Sequence, residues 1–327
     1  MGLYEFRLDD SRFLSSSIRA IGIICDLLHL GDSRLKGMDQ KGGNKVIATL
    51  LIGESFTGKT RSLETLPGGT VLFSFDKGGY QSLDSSFTPP IMAGGKVPRK
   101  RLKKLKFPSI SEPSFMGWLK SNDKLEKDEI LVIEYIEASL ISLNQYTASS
   151  TKLFISFAND FNQLITQEAL CKSKGIWHIA LDSLSSFKDN IIKAILGFSN
   201  HVILSQPDWG LGIAKIKEVI DTARGTQFDF IMTCHIQAEK DEVTGRLKEI
   251  PLVFGKGLPK EILQRFDDVL VTRSEKGPSG MEYYWSPIPI DLLIGIGTRC
   301  FDDLPAKIPQ NFMALYGERL NKKVIGS

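Results

Sequence analysis

A buried strand that leads directly into a glycine-containing loop constrains the fold of this chain more than any other feature. Residues 46–52 (VIATLLI) are continuously apolar and partly β-branched, which predicts a strand buried on both faces. A helix is predicted to follow the loop and to end near Leu66, before Pro67. The eight residues between them fit the pattern G-x-x-x-x-G-K-[ST]: Gly53, Glu54, Ser55, Phe56, Thr57, Gly58, Lys59 and Thr60.

A loop of this pattern is suited to holding a nucleoside triphosphate. Gly53 and Gly58 allow the backbone to approach the phosphates closely, with its N–H groups pointing inward. The positive end of the following helix faces the same negative charge. We expect Lys59 to bridge the β- and γ-phosphates, the Thr60 hydroxyl to bind Mg²⁺, and Arg61 to belong to the nucleotide-binding set. The alternative is a chance match in a glycine-containing loop.

A P-loop also needs an acidic group near its metal ion, and Asp182 is the predicted one. It ends the apolar strand predicted over residues 176–181 (IWHIAL) and precedes Ser183, as in a Walker B strand. We expect Thr60 and Asp182 to lie on adjacent strand ends, at the carboxyl edge of the sheet. The alternative role for Asp182 is to cap the next turn.

Two further strand ends carry candidate catalytic groups. Asp76 follows the strand predicted over residues 70–75 and is the candidate for orienting the attacking water, with Glu134 and Glu137 as alternatives. His235 follows the strand predicted over residues 228–234 and is expected either to contact the γ-phosphate or to be part of the hydrogen-bonded framework. That strand is expected to border the one before the loop.

Strands alternate with helices through most of the chain, which predicts an α/β fold with a mainly parallel central sheet flanked by helices. A C-terminal β-hairpin is predicted across residues 277–280. Aromatic spacing over residues 154–170 predicts a helix that packs on the core, and residues 211–223 a second helix. The expected organisation is an N-terminal helical extension (1–44), a core (45–315) with a basic surface insertion (84–128), and a C-terminal tail (316–327). The extension serves either as core packing or as a subunit-docking arm.

Composition excludes several classes of protein. The four cysteines and four histidines show no metal-ligand spacing, so we expect a reducing compartment without disulfides or zinc. No apolar run reaches the roughly 18 residues of a membrane span. Charged residues interrupt the first apolar stretch, unlike a signal peptide. These features predict a cytoplasmic protein without a membrane partner.

A dense basic run covers residues 96–106 (KVPRKRLKKLK), with seven basic residues and no acid. Such a run attracts phosphate backbones, although many charge runs are simply solvated loops. Lys100, Arg101 and Lys103 are the candidate DNA contacts in it. Phe107, Phe115 and Trp118 follow it and are expected to be available for stacking on bases.

Several strings in the chain, taken together in order, resemble one family. After the P-loop come DKGGYQSLD and IALDSLSSF, then MTCHIQAEKDEVTGRLKEIPLVFGKGLPKEILQRFDDVLVTR, and finally GTRCFDDLPAKIPQNF. This order, over about residues 46–315, resembles the phage-encoded RecA-like P-loop ATPases, a group of phage nucleotide-binding proteins and single-strand-annealing recombinases. The matching hallmark is a histidine-ending strand followed by K-D-E-x-x-G and G-K: His235, Lys240, Asp241, Glu242, Gly245, Gly255 and Lys256.

The resemblance implies a RecA-like core, ATP with Mg²⁺ as cofactors, and self-association into a ring or filament with sites at subunit borders. It implies single-stranded DNA as a partner in phage recombination, annealing or replication, a possible replication or recombination protein partner, and the host cytoplasm as the location. By analogy, loops at about 187–210 and 236–260 would face the DNA. The second carries the candidate contacts Lys240, Arg246, Lys248 and Lys256.

One departure from the family leaves alternatives open. Relatives often carry a glutamate before the Gly-Gly pair, where this chain has Lys77 beside Asp76. This departure favours a nucleotide-dependent switch with weak hydrolysis as an alternative to an efficient DNA-dependent ATPase. A helicase-loader or packaging-type motor is a separate alternative. Arg273 and Arg299 are equal candidates for an arginine that acts on a neighbouring subunit.

Overall fold

The structure is a computed structural model, and the first residue that it describes is Val46. The described residues are 46–76, 79–83, 101–105, 114–121, 123–135, 143–199, 203–240, 242, 245, 247–255, 257–278, 280–287, 297–298 and 304–317. The predicted extension over residues 1–44 lies outside them. So do these residues singled out from the sequence: Lys77, Lys100, Phe107, Glu137, Asp241, Arg246, Lys256 and Arg299.

A mixed, mostly parallel sheet forms the centre of the molecule. The described residues contribute eleven strands to it, in the order β11-β9-β8-β1-β6-β5-β2-β4-β3, with β10 beside β8 and β7 beside β6. Strands β1 to β6, together with the part of β8 beside β1, pair in parallel, whereas β7, β9, β10 and β11 pair antiparallel. The bounds are β1 Ala48–Gly53, β2 Gly69–Ser74, β3 Arg101–Leu105, β4 Glu129–Glu134, β5 Ile176–Asp182, β6 Asp229–Lys240, β7 Leu247–Pro251, β8 Asp268–Gly277, β9 Gly280–Ser286, β10 Gly297–Thr298 and β11 Ile308–Pro309.

Side chains alternate between the two faces of each strand, and both faces of this sheet carry buried apolar residues. Helices pack against both faces. Leu50 and Ile52 belong to one buried cluster, and Leu51 to the other. The predicted aromatic stripe of residues 154–164 lies in the first cluster, which confirms that prediction. The helices are α1 Lys59–Ser62, α2 Ser114–Lys120, α3 Leu143–Thr166, α4 Glu168–Ser173, α5 Leu184–Ser199, α6 Gln206–Arg224 and α7 Leu258–Leu263, with 3₁₀ turns at Leu63–Thr65 and Gly79–Leu83 and a further helix over 312–317.

The α/β class, the mainly parallel sheet and the C-terminal hairpin are confirmed. β8 and β9 pair antiparallel from Val271 with Ser286 to Gly277 with Gly280, across the predicted turn. The predicted helix over residues 211–223 is part of α6, which begins with a capping box between Ser205 and Asp208. Within the described residues, no helix is long and apolar enough to cross a membrane.

The segment predicted as a surface insertion differs from that prediction where the structure describes it. Arg101–Leu105 forms β3, an edge strand parallel to β4. Phe115 and Trp118 are buried on α2, so the prediction that they stack on bases is wrong. The strand was not predicted because its lysines break the apolar pattern of a buried strand. A strand at the edge of a sheet tolerates lysine and often carries it.

The two segments predicted as DNA-facing loops are largely regular structure. Most of residues 187–210 lies in α5 and α6. In the second segment, β6 continues past the sheet to Lys240 and pairs with β7, forming a hairpin. The predicted C-terminal tail also begins inside the core, because the buried Tyr316 donates its hydroxyl hydrogen to Asp268. Backbone pairing gives these polar segments an order that their composition does not indicate.

Candidate functional site

The loop Gly53–Thr60 lies between β1 and α1, at the carboxyl edge of the parallel strands. Gly58 has φ +87°, in the left-handed region that favours glycine, and Phe56 has φ +64°. At Gly53 a side chain is excluded, because a Cβ would collide with the Thr272 hydroxyl and approach the Thr272 carbonyl oxygen to 2.7 Å. Glu54, Ser55 and Phe56 are exposed at the apex of the loop.

Hydroxyl groups hold the base of this loop. Thr57 Oγ1 donates to the Glu54 carbonyl oxygen at 2.8 Å, closing a tight turn. The same atom lies 2.6 Å from Thr272 Oγ1, on the neighbouring strand β8. Thr272 was not predicted from the sequence, because nothing local to it indicates that β8 runs beside β1.

Lys59 is buried and folds back over the loop. Its ammonium group donates to the carbonyl oxygens of Gly53 at 2.9 Å and Glu54 at 2.6 Å. Burial lowers the pKa of Lys59, while the negative charges of Asp182 and Asp76 act in the opposite direction. The side chain therefore stands at the mouth of the loop, where phosphate oxygens could replace the two carbonyls as acceptors.

The structure brings the loop and Asp182 into direct contact. Thr60 Oγ1 donates to Asp182 Oδ2 at 2.7 Å, and Thr233 Oγ1 donates to the other carboxylate oxygen. The prediction that adjacent strand ends carry them is wrong, because β6 lies between β1 and β5. Thr60 reaches Asp182 because it lies on α1, beyond the strand end, while the intervening strand supplies Thr233.

Asp182 is fully enclosed, and the peptide bond that follows it is cis. Burial raises the pKa of Asp182, as does the charge of Asp76; hydrogen bonds from Thr233 and Thr60 and the charge of Lys59 lower it. A carboxylate in this position gains from a cation. Thr60 and Asp182 together present hard oxygen donors of the kind that Mg²⁺ prefers.

This donor set fits a magnesium ion. Among the described residues no group of three or more His, Cys, Asp or Glu side chains could form a metal cage. Such a group is not required for magnesium, which is commonly bound by only one or two carboxylates of the protein. Thr60 and Asp182 are the two residues that would hold it.

Asp76 and His235 lie together beside this centre. The carboxylate of Asp76 accepts a hydrogen bond from Ser186, and its other oxygen is 3.7 Å from His235 Nε2. Burial opposes ionisation of Asp76, but hydrogen bonds from His235, Ser186 and Ser183 outweigh it and lower the pKa. The His235 backbone N–H donates to Ser185 Oγ at 3.0 Å, which fixes the strand here.

The predicted neighbour of the loop strand is also confirmed, since β6 pairs with β1 from Phe230 to His235. Asp76 follows β2, whereas the alternative Glu134 ends β4. In the sheet, β4 lies one strand further from β1 than β2 does. The structure therefore gathers Asp76, Asp182 and His235 at one end of the loop. Arg61, also predicted to bind nucleotide, is half-buried on α1.

The candidate DNA contacts that the structure describes lie on strands in different parts of the sheet. Lys240 is exposed at the end of β6, and Lys248 pairs with Glu239 across the β6–β7 hairpin. Arg101 and Lys103 lie on β3, with β5, β2 and β4 between that strand and β6.

Arg273 is engaged within its own chain. Its Nη1 donates to Glu249 Oε1 at 3.3 Å, and Nη2 forms an ion pair with Oε2. Glu249 lies on β7 and Arg273 on β8, so this pair joins the two hairpins that flank the end of β1.

The chain matches no protein-family model and no curated protein.

Proposed function

We propose that this chain binds ATP with Mg²⁺ at Gly53–Thr60 and hydrolyses it as a RecA-like P-loop ATPase acting on single-stranded DNA. The hydrogen bond between Thr60 and Asp182 carries the proposal. It joins the residue that ends the glycine-containing loop to an acid at a strand end, as a P-loop metal site requires. A chance glycine-containing loop has no reason to meet a buried carboxylate.

Each residue of the site has a defined task in this proposal. Backbone N–H groups of the loop bind the phosphates, and Lys59 turns from the Gly53 and Glu54 carbonyls to the β- and γ-phosphate oxygens. Thr60 and Asp182 would hold a magnesium ion, which would supply positive charge against the phosphates. Asp76 orients the attacking water, and His235, in contact with Asp76, senses the γ-phosphate.

Strand β6 supports the link to DNA. It carries Thr233 and His235 at the site and, a few residues further on, the exposed Lys240 of the hairpin. A change of contacts at His235 would therefore be transmitted along one continuous strand to the exposed Lys240. Phosphate contacts from lysine give sequence-independent and salt-sensitive binding. Self-association into a ring or filament and a replication or recombination protein partner are part of the same proposal.

The test is the rate of ATP hydrolysis with and without single-stranded DNA, measured together with particle mass. We expect hydrolysis to be stimulated by the DNA, and DNA binding to weaken as salt is raised. The Lys59→Ala variant should lose nucleotide binding, while Lys152→Ala, a lysine on α3, serves as the matched control. Absence of DNA affinity at low salt would refute the DNA part, and absence of ATP binding would refute the whole proposal.

A second candidate is a nucleotide-dependent switch with slow hydrolysis. One observation favours it: one carboxylate oxygen of Asp76 accepts a hydrogen bond from Ser186, and the other lies 3.7 Å from His235 Nε2. A carboxylate held in this way is less available to a water molecule. A single-turnover experiment separates the candidates, because a switch would bind ATP tightly and still release little ADP when DNA is added.

A further inference from the structure

The segment over residues 304–317 lies against the underside of the P-loop, although it follows the loop by some 250 residues in sequence. Ile308 and Pro309 form β11 and pair with β9. The backbone N–H of Phe312 donates to Thr65 Oγ1 at 2.7 Å, just after α1. Gln310 lies between these two anchors and is held in place from both sides.

The side-chain amide of Gln310 is fully buried and forms a hydrogen bond to the loop. Its Nε2 donates to the carbonyl oxygens of Thr57 at 2.8 Å and Tyr284 at 3.1 Å. Both partners are carbonyl oxygens, which only accept, so the amide nitrogen must face them. This orientation directs Oε1 toward Gly58.

Gln310 also leaves no space for a side chain at position 58. A Cβ at Gly58 would collide with Gln310 Oε1 and lie 3.3 Å from Tyr283 Cδ1. Among the described residues, Oε1 has no hydrogen-bond partner and is buried. The amide therefore fits closely beneath the loop, and its contact with the Thr57 carbonyl is the part that acts on loop geometry.

The consequence follows from the planarity of the peptide bond. The Thr57 carbonyl and the Gly58 N–H belong to one peptide unit, and in a trans peptide they point in opposite directions. Holding the carbonyl toward Gln310 therefore turns the Gly58 N–H away from Gln310. Backbone N–H groups of such a loop are the groups that would bind phosphate oxygens.

We propose that Gln310 is a positioning residue that pre-orients the Gly58 N–H for phosphate binding. The inference rests on the proposed nucleotide site and adds a residue outside the motif that controls it. Pre-orientation removes the cost of ordering the loop when ligand binds. Gln310 would act on the affinity for the triphosphate without touching it.

The test compares two variants of Gln310 with a control in the same segment. Gln310→Met keeps the length of the side chain and removes the donor, and Gln310→Ala also opens the space. The control is Asn311→Ala. Asn311 Oδ1 accepts a hydrogen bond from the Ala314 N–H at 3.1 Å, and this contact does not involve the loop. The measurements are affinity for a fluorescent ATP analogue with Mg²⁺, and hydrogen exchange of the backbone amides of residues 53–60.

We expect both Gln310 variants to weaken binding by roughly 10- to 100-fold, as loss of a supporting contact commonly does. Exchange in the loop should accelerate in the unliganded protein, while Asn311→Ala changes neither quantity by more than about twofold. If Gln310→Met folds and leaves both unchanged, the inference is wrong. If the unaltered protein binds no nucleotide, the proposed function fails, and the exchange rates alone decide whether Gln310 restrains the loop.

Discussion

Thr60 and Asp182 are separated by 122 positions in the sequence and joined by a hydrogen bond of 2.7 Å. The carboxylate is buried, and its second oxygen accepts a hydrogen bond from Thr233. An acid held in this way, beside Lys59 and facing a helix N-terminus, has the position and charge to bind a magnesium ion together with Thr60.

Replacing Asp182 with Asn should remove the magnesium dependence of ATP binding. We expect affinity for ATP in the presence of Mg²⁺ to fall roughly 10- to 100-fold, because a neutral amide is a poor ligand for Mg²⁺. Affinity in the presence of a chelator should change little. Titration of a fluorescent ATP analogue measures both, with Asp189→Asn, an exposed residue on α5, as the matched control. Equal magnesium dependence in the two variants would contradict the assignment.

Loss of the Thr233 hydroxyl should shift the pH profile of magnesium-dependent binding. Burial raises the pKa of Asp182 and the Thr233 hydrogen bond lowers it, so Thr233→Val should raise that pKa further. The ion needs the ionised carboxylate, and the acid limb of the profile should therefore move to higher pH. Thr233→Ser keeps the hydroxyl and should follow the unaltered protein. Identical acid limbs for Val and Ser would show that Thr233 does not act through Asp182.

Asp76 and Glu134 are distinguished by paired variants. We expect Asp76→Asn to lower kcat by roughly 100-fold, the usual contribution of a positioned acid or base, with nucleotide affinity nearly unchanged. Glu134→Gln should retain hydrolysis because Glu134 ends the more distant strand β4. Single-turnover rates and the binding constant are measured in the same samples. The reverse pattern would transfer the role to Glu134.

Asp160 should make stability depend on pH. It is buried, accepts a hydrogen bond from Tyr135 at 2.7 Å, and burial raises its pKa to about 6. The folded state therefore holds this proton more tightly than the unfolded state, and the resulting stability is present below about pH 4 and is lost as pH rises to about 6. The loss is roughly 2–3 kcal/mol for this one group.

Asp160→Asn removes the titration while retaining an acceptor for Tyr135. The difference in unfolding free energy between the two proteins should therefore change between pH 4 and 7, with the unaltered protein losing the more. Urea unfolding at a series of pH values measures this difference. A difference that stays constant with pH would mean that Asp160 does not titrate in this range.

Local sequence patterns were sufficient for the elements that form the site. The apolar run before Gly53, the glycine positions and the strand ending at Asp182 are all properties of neighbours along the chain, and the structure contains each element within a few residues of its predicted bounds. The α/β class follows from the same alternation of patterns. ATP, DNA and the RecA-like identity stay predictions.

Tertiary structure alone decided which residues support that site. Thr272 and Gln310 meet the loop because β8 and β11 are brought there by long-range pairing, and the sequence around each residue carries no sign of it. The strand that carries Thr233 was expected beside β1, but the contact of Thr233 with Asp182 was not predicted. The edge strand β3 was missed because its lysines break the apolar pattern. Strand order depends on contacts between distant segments, whereas periodicity and turn residues report only on what lies next along the chain.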